Sequence, residues 1–378
     1  MSIKEDIFDL GDEIDPEFAV DPEDVGADLI TDPFDPREIR IETKTLTVDL
    51  LARRIKAGEI DLSPDFQRGA GLWTKGAMSR LVESLLVRIP LPAFYMDATE
   101  DDRWLVVDGL QRLTVLRRFM LEQSLTLSEM EFLTQFNGKS FADLPRAMQR
   151  RVEETQVTVY LIQPGTPPEL KFNIFKRINT GGLPLSPQEI RHALNQGPAA
   201  ELLKVLADAP SFQQVAGRSI RNQRMTDREC ALRFLAFAIT PYSHYRSSDL
   251  DGFLNAQMKY LNGATSEERQ SLSLRFYRSM DIAWRLFERD AFRKRYRPED
   301  HRKPINKALF EAWSVALDKQ PDALVETLVE RREQLREGFI ALMNERAFDS
   351  AISQGTGDPS RVQLRFSAIE NLIAGVVS

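Results

Sequence analysis

The stretch Trp104-Leu-Val-Val-Asp-Gly-Leu-Gln-Arg-Leu-Thr-Val-Leu116 constrains the fold of the first half of the chain more than any other. Apolar residues lead into Asp108-Gly109, and an apolar-periodic run follows with Leu110, Leu113, Val115 and Leu116. The pattern predicts a buried strand, a sharp turn that glycine permits, and a helix whose first turn carries Gln111 and Arg112. A helix entered this way presents backbone N–H groups without intrahelical partners at the positive end of its dipole, which attracts phosphate. Arg112 would add a planar, permanent cation to the same anion. The residues also read as a plain strand–turn–helix with Asp108 capping the helix.

The surrounding pattern places this turn in a mixed domain. Alternation over 39–48 predicts a strand, and 49–57 a short helix with Leu50, Leu51 and Ile55 inward, ended by Gly58. Residues 62–73 read as a structured loop anchored by Phe66, Leu72 and Trp73. Thr74 is placed to cap a helix over 75–87 with Met78, Leu81, Val82 and Leu85 inward and Arg80 and Glu83 off that stripe. A strand over 93–96 and a polar hairpin tip over 97–103 lead into the central stretch. Beyond it, 121–154 reads as mostly helical with a turn at Asn137-Gly138, and 156–162 as a β-branched strand. A helix from Pro167 to Ile178 should bury Leu170, Ile174, Phe175 and Ile178. Ser186, Pro187 and Glu189 form a complete capping box for the next helix. From about Asn195 strand signals nearly vanish, and further capping boxes are expected at Thr226…Glu229 and Thr265…Glu268. The expectation is an α+β domain over 37–195 followed by an all-helical domain over 196–378.

Composition narrows the class. A chain of 378 residues is too long for one ordinary domain. No apolar run is long enough to span a bilayer, and the first residues lack a signal-peptide pattern, so a cytoplasmic protein with no membrane partner is expected. Cys230 is the single cysteine, which excludes an internal disulfide, and its apolar-periodic setting predicts a core position. The net charge of −7 conceals an asymmetry: residues 1–36 hold 13 acidic residues and one basic residue, Lys4, leaving the remainder at +5. That segment reads as a mobile acidic arm.

Three polar loops suit one phosphate-rich ligand: Phe66-Gln67-Arg68, Asp108-Gly109-Leu110-Gln111-Arg112, and Arg177-Ile178-Asn179-Thr180-Gly181-Gly182. Mg²⁺ normally accompanies a triphosphate, and Asp108 and Glu83 are the carboxylates proposed to hold it or orient water. There is no G-x-x-x-x-G-K-[ST] loop. In the second half, Arg221, Arg224 and Arg228, then Arg293, Lys294, Arg295 and Arg297, form basic clusters that suit DNA phosphates or a solvated face equally.

In order, Pro64-Asp-Phe-Gln-Arg, Trp73, Ser79-Arg-Leu-Val-Glu-Ser-Leu-Leu-Val-Arg-Ile-Pro-Leu-Pro92, Val107-Asp-Gly-Leu-Gln-Arg-Leu-Thr-Val-Leu116 and Phe175-Lys-Arg-Ile-Asn-Thr-Gly-Gly-Leu-Pro-Leu-Ser186 resemble the N-terminal domain of GmrSD-type restriction systems. That domain is of the ParB/sulfiredoxin-like superfamily. The resemblance covers about 42–195, with Leu110 where the family pattern Asp-Gly-Gln-Gln-Arg has a glutamine. It implies a nucleoside triphosphate site that hydrolyses its ligand, with Asp108 and Arg112 at the reacting end, in defence against foreign or modified DNA. The histidines His192, His244 and His301 form no nuclease pattern, so a separate nuclease subunit or other defence partner is expected. The alternative is a non-catalytic adaptor that senses nucleotide or DNA, and a homo-oligomer is compatible with either.

Overall fold

The computed structural model describes residues 40–62, 73–100, 103–178, 185–217, 220 and 223–378. The chain forms two compact units, one ending at Leu194 and the other running from Asn195 to Ser378. The first is α+β and the second helical, as the change in sequence pattern implies.

The first unit is built on a five-stranded mixed sheet with strand order β1-β5-β3-β4-β2. Its strands are β1 (Ile41–Thr47), β2 (Ile60–Asp61), β3 (Phe94–Glu100), β4 (Arg103–Asp108) and β5 (Gln156–Ile162). β1 and β4 run antiparallel to β5 and β3 respectively, and β3 runs parallel to β5. The helices are α1 (Val48–Ala57), α2 (Lys75–Leu86), α3 (Leu110–Leu116), α4 (Arg146–Glu153), α5 (Pro168–Ile178) and α6 (Pro187–Leu194). One face of the sheet carries Phe94, Met96, Trp104, Val106, Val157, Val159 and Leu161 into a core closed by Leu51, Val82, Leu85, Leu113 and Val152. The opposite face contributes Val107 and Ile162 to a smaller cluster with Phe172 and Phe175 of α5 and Ile190 of α6. Neighbouring residues such as Val106 and Val107 therefore enter different cores, the period-2 rule of a strand buried on both sides.

Local signals set the helix ends. Thr47 and Thr74 accept hydrogen bonds from the amides of Leu50 and Ala77. Gly58 ends α1 in the left-handed region, and Ser186 and Glu189 exchange the two bonds of a capping box. Other expectations need correction. Leu50 points outward, whereas Leu51 and Ile55 pack on the core as expected, joined by Val48 and Ala52. The stretch 121–154 is mostly irregular; beyond the helical tail ending at Leu121 it holds a single 3₁₀ turn (Thr134–Phe136) and α4. Its backbone is satisfied by side chains such as Asn137, whose Oδ1 accepts from the amide of Met130.

The second unit comprises α7 (Pro198–Ala207), α8 (Pro210–Ala216), α9 (Thr226–Ile239), α10 (Leu250–Gly263), α11 (Ser266–Phe287), α12 (Lys307–Asp318), α13 (Asp322–Glu330), α14 (Arg332–Met343), α15 (Arg346–Ser353) and α16 (Pro359–Val377). α12 is its axis: every residue from Ala308 to Leu317 is buried. Such a helix needs partners on all sides, which α9, α11, α15 and α16 supply. Thr265 and Glu268 form the expected capping box. α9 instead starts at Thr226 from Met225, in the left-handed region and without a side-chain cap bond, and Glu229 pairs with Arg233 and Lys307. Cys230 is fully buried in this core. No helix among the described residues is long and apolar enough to cross a membrane.

Candidate functional site at the end of strand β4

β4 delivers Asp108, and Gly109 reverses the chain at φ 100° into α3. A Cβ at Gly109 would run into the Phe94 ring, so glycine is required by its backbone angle and by the close approach of β3. No side chain caps α3, and the expected cap by Asp108 does not form. Asp108 instead accepts from Arg112 at 2.9 Å, four residues on. α3 continues without a break into a π-helical turn over Arg117–Leu121.

Arg112 is more deeply engaged than a surface phosphate clamp. Its guanidinium donates to Asp108, to the carbonyl of Ala93 at 3.1 Å and to the carbonyl of Pro92, and lies 4.6 Å from the Phe94 ring centroid. Burial lowers its pKa below the ordinary arginine value, a shift that the neighbouring Asp108 opposes. The side chain thus ties the turn to the start of β3, 19 and 20 residues earlier. Gln111 is half-buried on the first turn of α3.

Glu83 is taken up by backbone. Its carboxylate is buried and accepts from three consecutive amides, Glu131 at 2.9 Å and Phe132 and Leu133 at 2.7 Å each. Burial pushes its pKa up, but the three N–H bonds together with Arg80 outweigh this and leave it lowered. Its oxygens pin the 131–133 loop to α2, which gives the residue expected as a metal ligand a structural role. Among the described residues no three His, Cys, Asp or Glu side chains gather as a metal site.

The remaining expected residues divide. Arg177 is exposed on the last turn of α5, and Phe175 two residues earlier packs against Val107 next to Asp108. The end of α5 and the Asp108 turn therefore lie at the same end of the sheet. Gln67, Arg68, Asn179, Thr180, Gly181, Gly182, Arg221 and the 1–36 arm lie outside the described residues. Of the basic residues proposed for DNA, Arg224 and Arg297 are exposed and Lys294 and Arg295 half-buried, with Arg295 paired to Asp290. Arg228 and Arg293 are corrected to interior positions: Arg293 is 1% exposed and donates to the carbonyls of Arg289, Lys303 and Ala216.

Two features escaped the sequence reading. Lys171 of α5 and Asp97 of β3 form a buried ion pair at 3.1 and 3.2 Å, where 97–103 was expected to be a solvated hairpin tip. The signal was available, because Lys171 lies three and four residues before Ile174 and Phe175 on the apolar side of its helix. The second is a register row across four strands, Thr43–Tyr160–Tyr95–Asp108, in which Tyr95 and Tyr160 stack with centroids 4.9 Å apart. Burial, together with Tyr160 and Asp108 close by, raises the pKa of Tyr95, so its hydroxyl keeps its proton beside the carboxylate.

No curated protein and no solved structure matches the chain. A family model does match, over residues 49–195, the span that runs from α1 to the end of α6. The unit that carries the Asp108–Gly109 turn is thereby similar to the family described as GmrSD restriction endonuclease, N-terminal domain.

Proposed function

We propose that the first unit is the nucleotide-binding part of a restriction-type defence component, with a nucleoside triphosphate seated at the Asp108–Gly109 turn. The match over 49–195 supports the defence role. The observation that carries the binding reading is the turn itself. No side chain caps α3, so the amides of its first turn face an anion without a side-chain competitor, with the exposed Arg177 at the same end of the sheet. In this reading Gln111 and Arg177 contact phosphates, Arg112 holds the turn in shape, and 179–182 complete the site from the end of α5. DNA and a separate nuclease are the partners the reading requires, with the exposed Arg224 and Arg297 as the basic contacts to test.

The protein's own donors make a poor resident Mg²⁺ site, since Glu83 is committed to amides and Asp108 to Arg112. Any Mg²⁺ belongs with the triphosphate. The Asp108–Arg112 ion pair favours a second reading, in which nucleotide is sensed without turnover and a separate nuclease is recruited. Thermal unfolding with ATP, GTP, CTP or UTP and Mg²⁺ tests binding, because a ligand held only by the folded state at 100 times its Kd raises stability by about 2.7 kcal/mol, a shift of several degrees. Replacing the exposed Arg177 by Ala should weaken or remove the shift and leave the ligand-free melting temperature unchanged. No shift with any of the four would end the reading, and phosphate release with and without DNA separates turnover from sensing.

A further inference from the structure

The sheet face that carries Asp108 is only partly covered. α5 and α6 close over Val107 and Ile162, and Tyr95 packs partly against that cluster. On β1 the residues of the same face, Ile41, Thr43 and Thr45, are exposed, and on β5 Thr158 and Tyr160 are half-buried. Tyr160 joins neither hydrophobic cluster. Its ring is held upright by the stack with Tyr95, 4.9 Å centroid to centroid with 25° between planes. On the side away from Tyr95, the residue directly opposite is the small Thr43.

Two half-buried tyrosines stacked on an open sheet face are an arrangement with a chemical consequence. A fixed aromatic ring with one side bordered by a small residue stacks a planar heterocycle at low entropic cost, because the ring is already immobilised. Such stacking is indifferent to which base is offered. The distance is also informative. A base on the outer face of Tyr160, over Thr43, stands three strands from Asp108, about 14 Å at the usual strand spacing, which a ribose with an extended triphosphate spans. We infer that the outer face of Tyr160, backed by Tyr95, is the stacking platform for the base of the nucleotide whose phosphates lie at the Asp108–Gly109 turn, with the Thr43 and Thr158 hydroxyls at the base edge. This inference rests on the nucleotide-binding reading above, and adds to it a site for the base.

Calorimetric titration of the full chain with inorganic tripolyphosphate and with each of the four NTPs, all with Mg²⁺, separates the two claims. The wild type should bind at least one NTP more tightly than tripolyphosphate. Tyr160→Leu should weaken that NTP about tenfold to a hundredfold, leaving tripolyphosphate affinity unchanged and so showing that the protein is folded. Tyr160→Phe should keep wild-type affinity. If the wild type binds tripolyphosphate as tightly as every NTP, or Tyr160→Leu binds NTP like the wild type, the platform is overturned and the phosphate site stands. Loss of tripolyphosphate binding in Tyr160→Leu would also overturn it, by giving Tyr160 a role in the fold. A wild type that binds neither class of ligand overturns both readings.

Discussion

Buried charge is met in two ways, by backbone at Arg112, Glu83 and Arg293 and by an opposite charge at Lys171–Asp97 and around Glu311. In the sheet-bearing unit, Arg112 and Glu83 meet mainly backbone: carbonyls of Pro92 and Ala93 for the first, amides of 131–133 for the second. Each ties an irregular segment to a regular one. Around Glu311 in the helical unit the charges meet one another. Glu311, fully buried, accepts from Arg365 and Arg233; Arg233 also donates to Glu229, which accepts from Lys307. Loops leave backbone groups that need partners, so a single charged side chain suffices there. Packed helices have none to spare along their lengths, so a charge buried midway along them brings its own counterion, whereas Arg293 finds carbonyls at Ala216, where a helix ends, and at Lys303.

The contrast predicts where each unit breaks. The largest effect is expected at Glu311. Glu311→Ala leaves two buried guanidiniums without their shared carboxylate and should cost about 3–5 kcal/mol in denaturant unfolding. Replacing Glu311, Arg365 and Arg233 together by apolar residues of similar volume should recover most of that loss. If the triple variant is no better than the single one, the network does more than neutralise itself. Arg112→Ala should come next, at about 3 kcal/mol for a charged donor with three partners. Arg112→Lys should not restore it, because an ammonium lacks the planar fork that spans two carbonyls and a carboxylate. A variant with wild-type stability would remove Arg112 as the tie between the turn and β3.

The smallest effect is at Glu83, and it depends on pH. Its pKa is lowered in the fold, so its contribution is fully present above the unfolded value, about 4.3, and is lost as pH falls through the lowered folded value. Glu83→Gln should cost about 1–3 kcal/mol at neutral pH, and progressively less as the solution is acidified below pH 4. Unfolding curves for both proteins across that range decide the matter. A constant difference between them would show that the carboxylate charge is not what holds the 131–133 loop.

What could be read in advance follows from range. Gly58, the Ser186–Glu189 box and the Thr265–Glu268 box have their partners within a few residues, and the structure shows each of them. At Thr226…Glu229, with the same spacing, the helix takes Met225 as its N-cap without a side-chain bond, and Glu229 accepts from Lys307, 78 residues away. Burial of long polar side chains was legible only where they interrupt an apolar pattern. Glu311 sits inside the run from Ala308 to Leu317, and Arg365 lies between Val362 and Ile369 at helical spacing. Arg228 carries the same mark between Met225 and Leu232, whereas Arg293 carries none.

The turn at Asp108–Gly109 shows the same division in one place. Its strand, its glycine and its helix were determined by the sequence, since apolar periodicity and the need for a positive φ act over neighbouring residues. Only the tertiary structure decided that Arg112 faces inward to the Pro92 and Ala93 carbonyls, and that Tyr160 and Tyr95 stand in register with Asp108. Those outcomes depend on which strands pair and in what register, and on which carbonyls the fold leaves without partners. Such partners come from distant parts of the chain, and the local pattern of residues does not encode them.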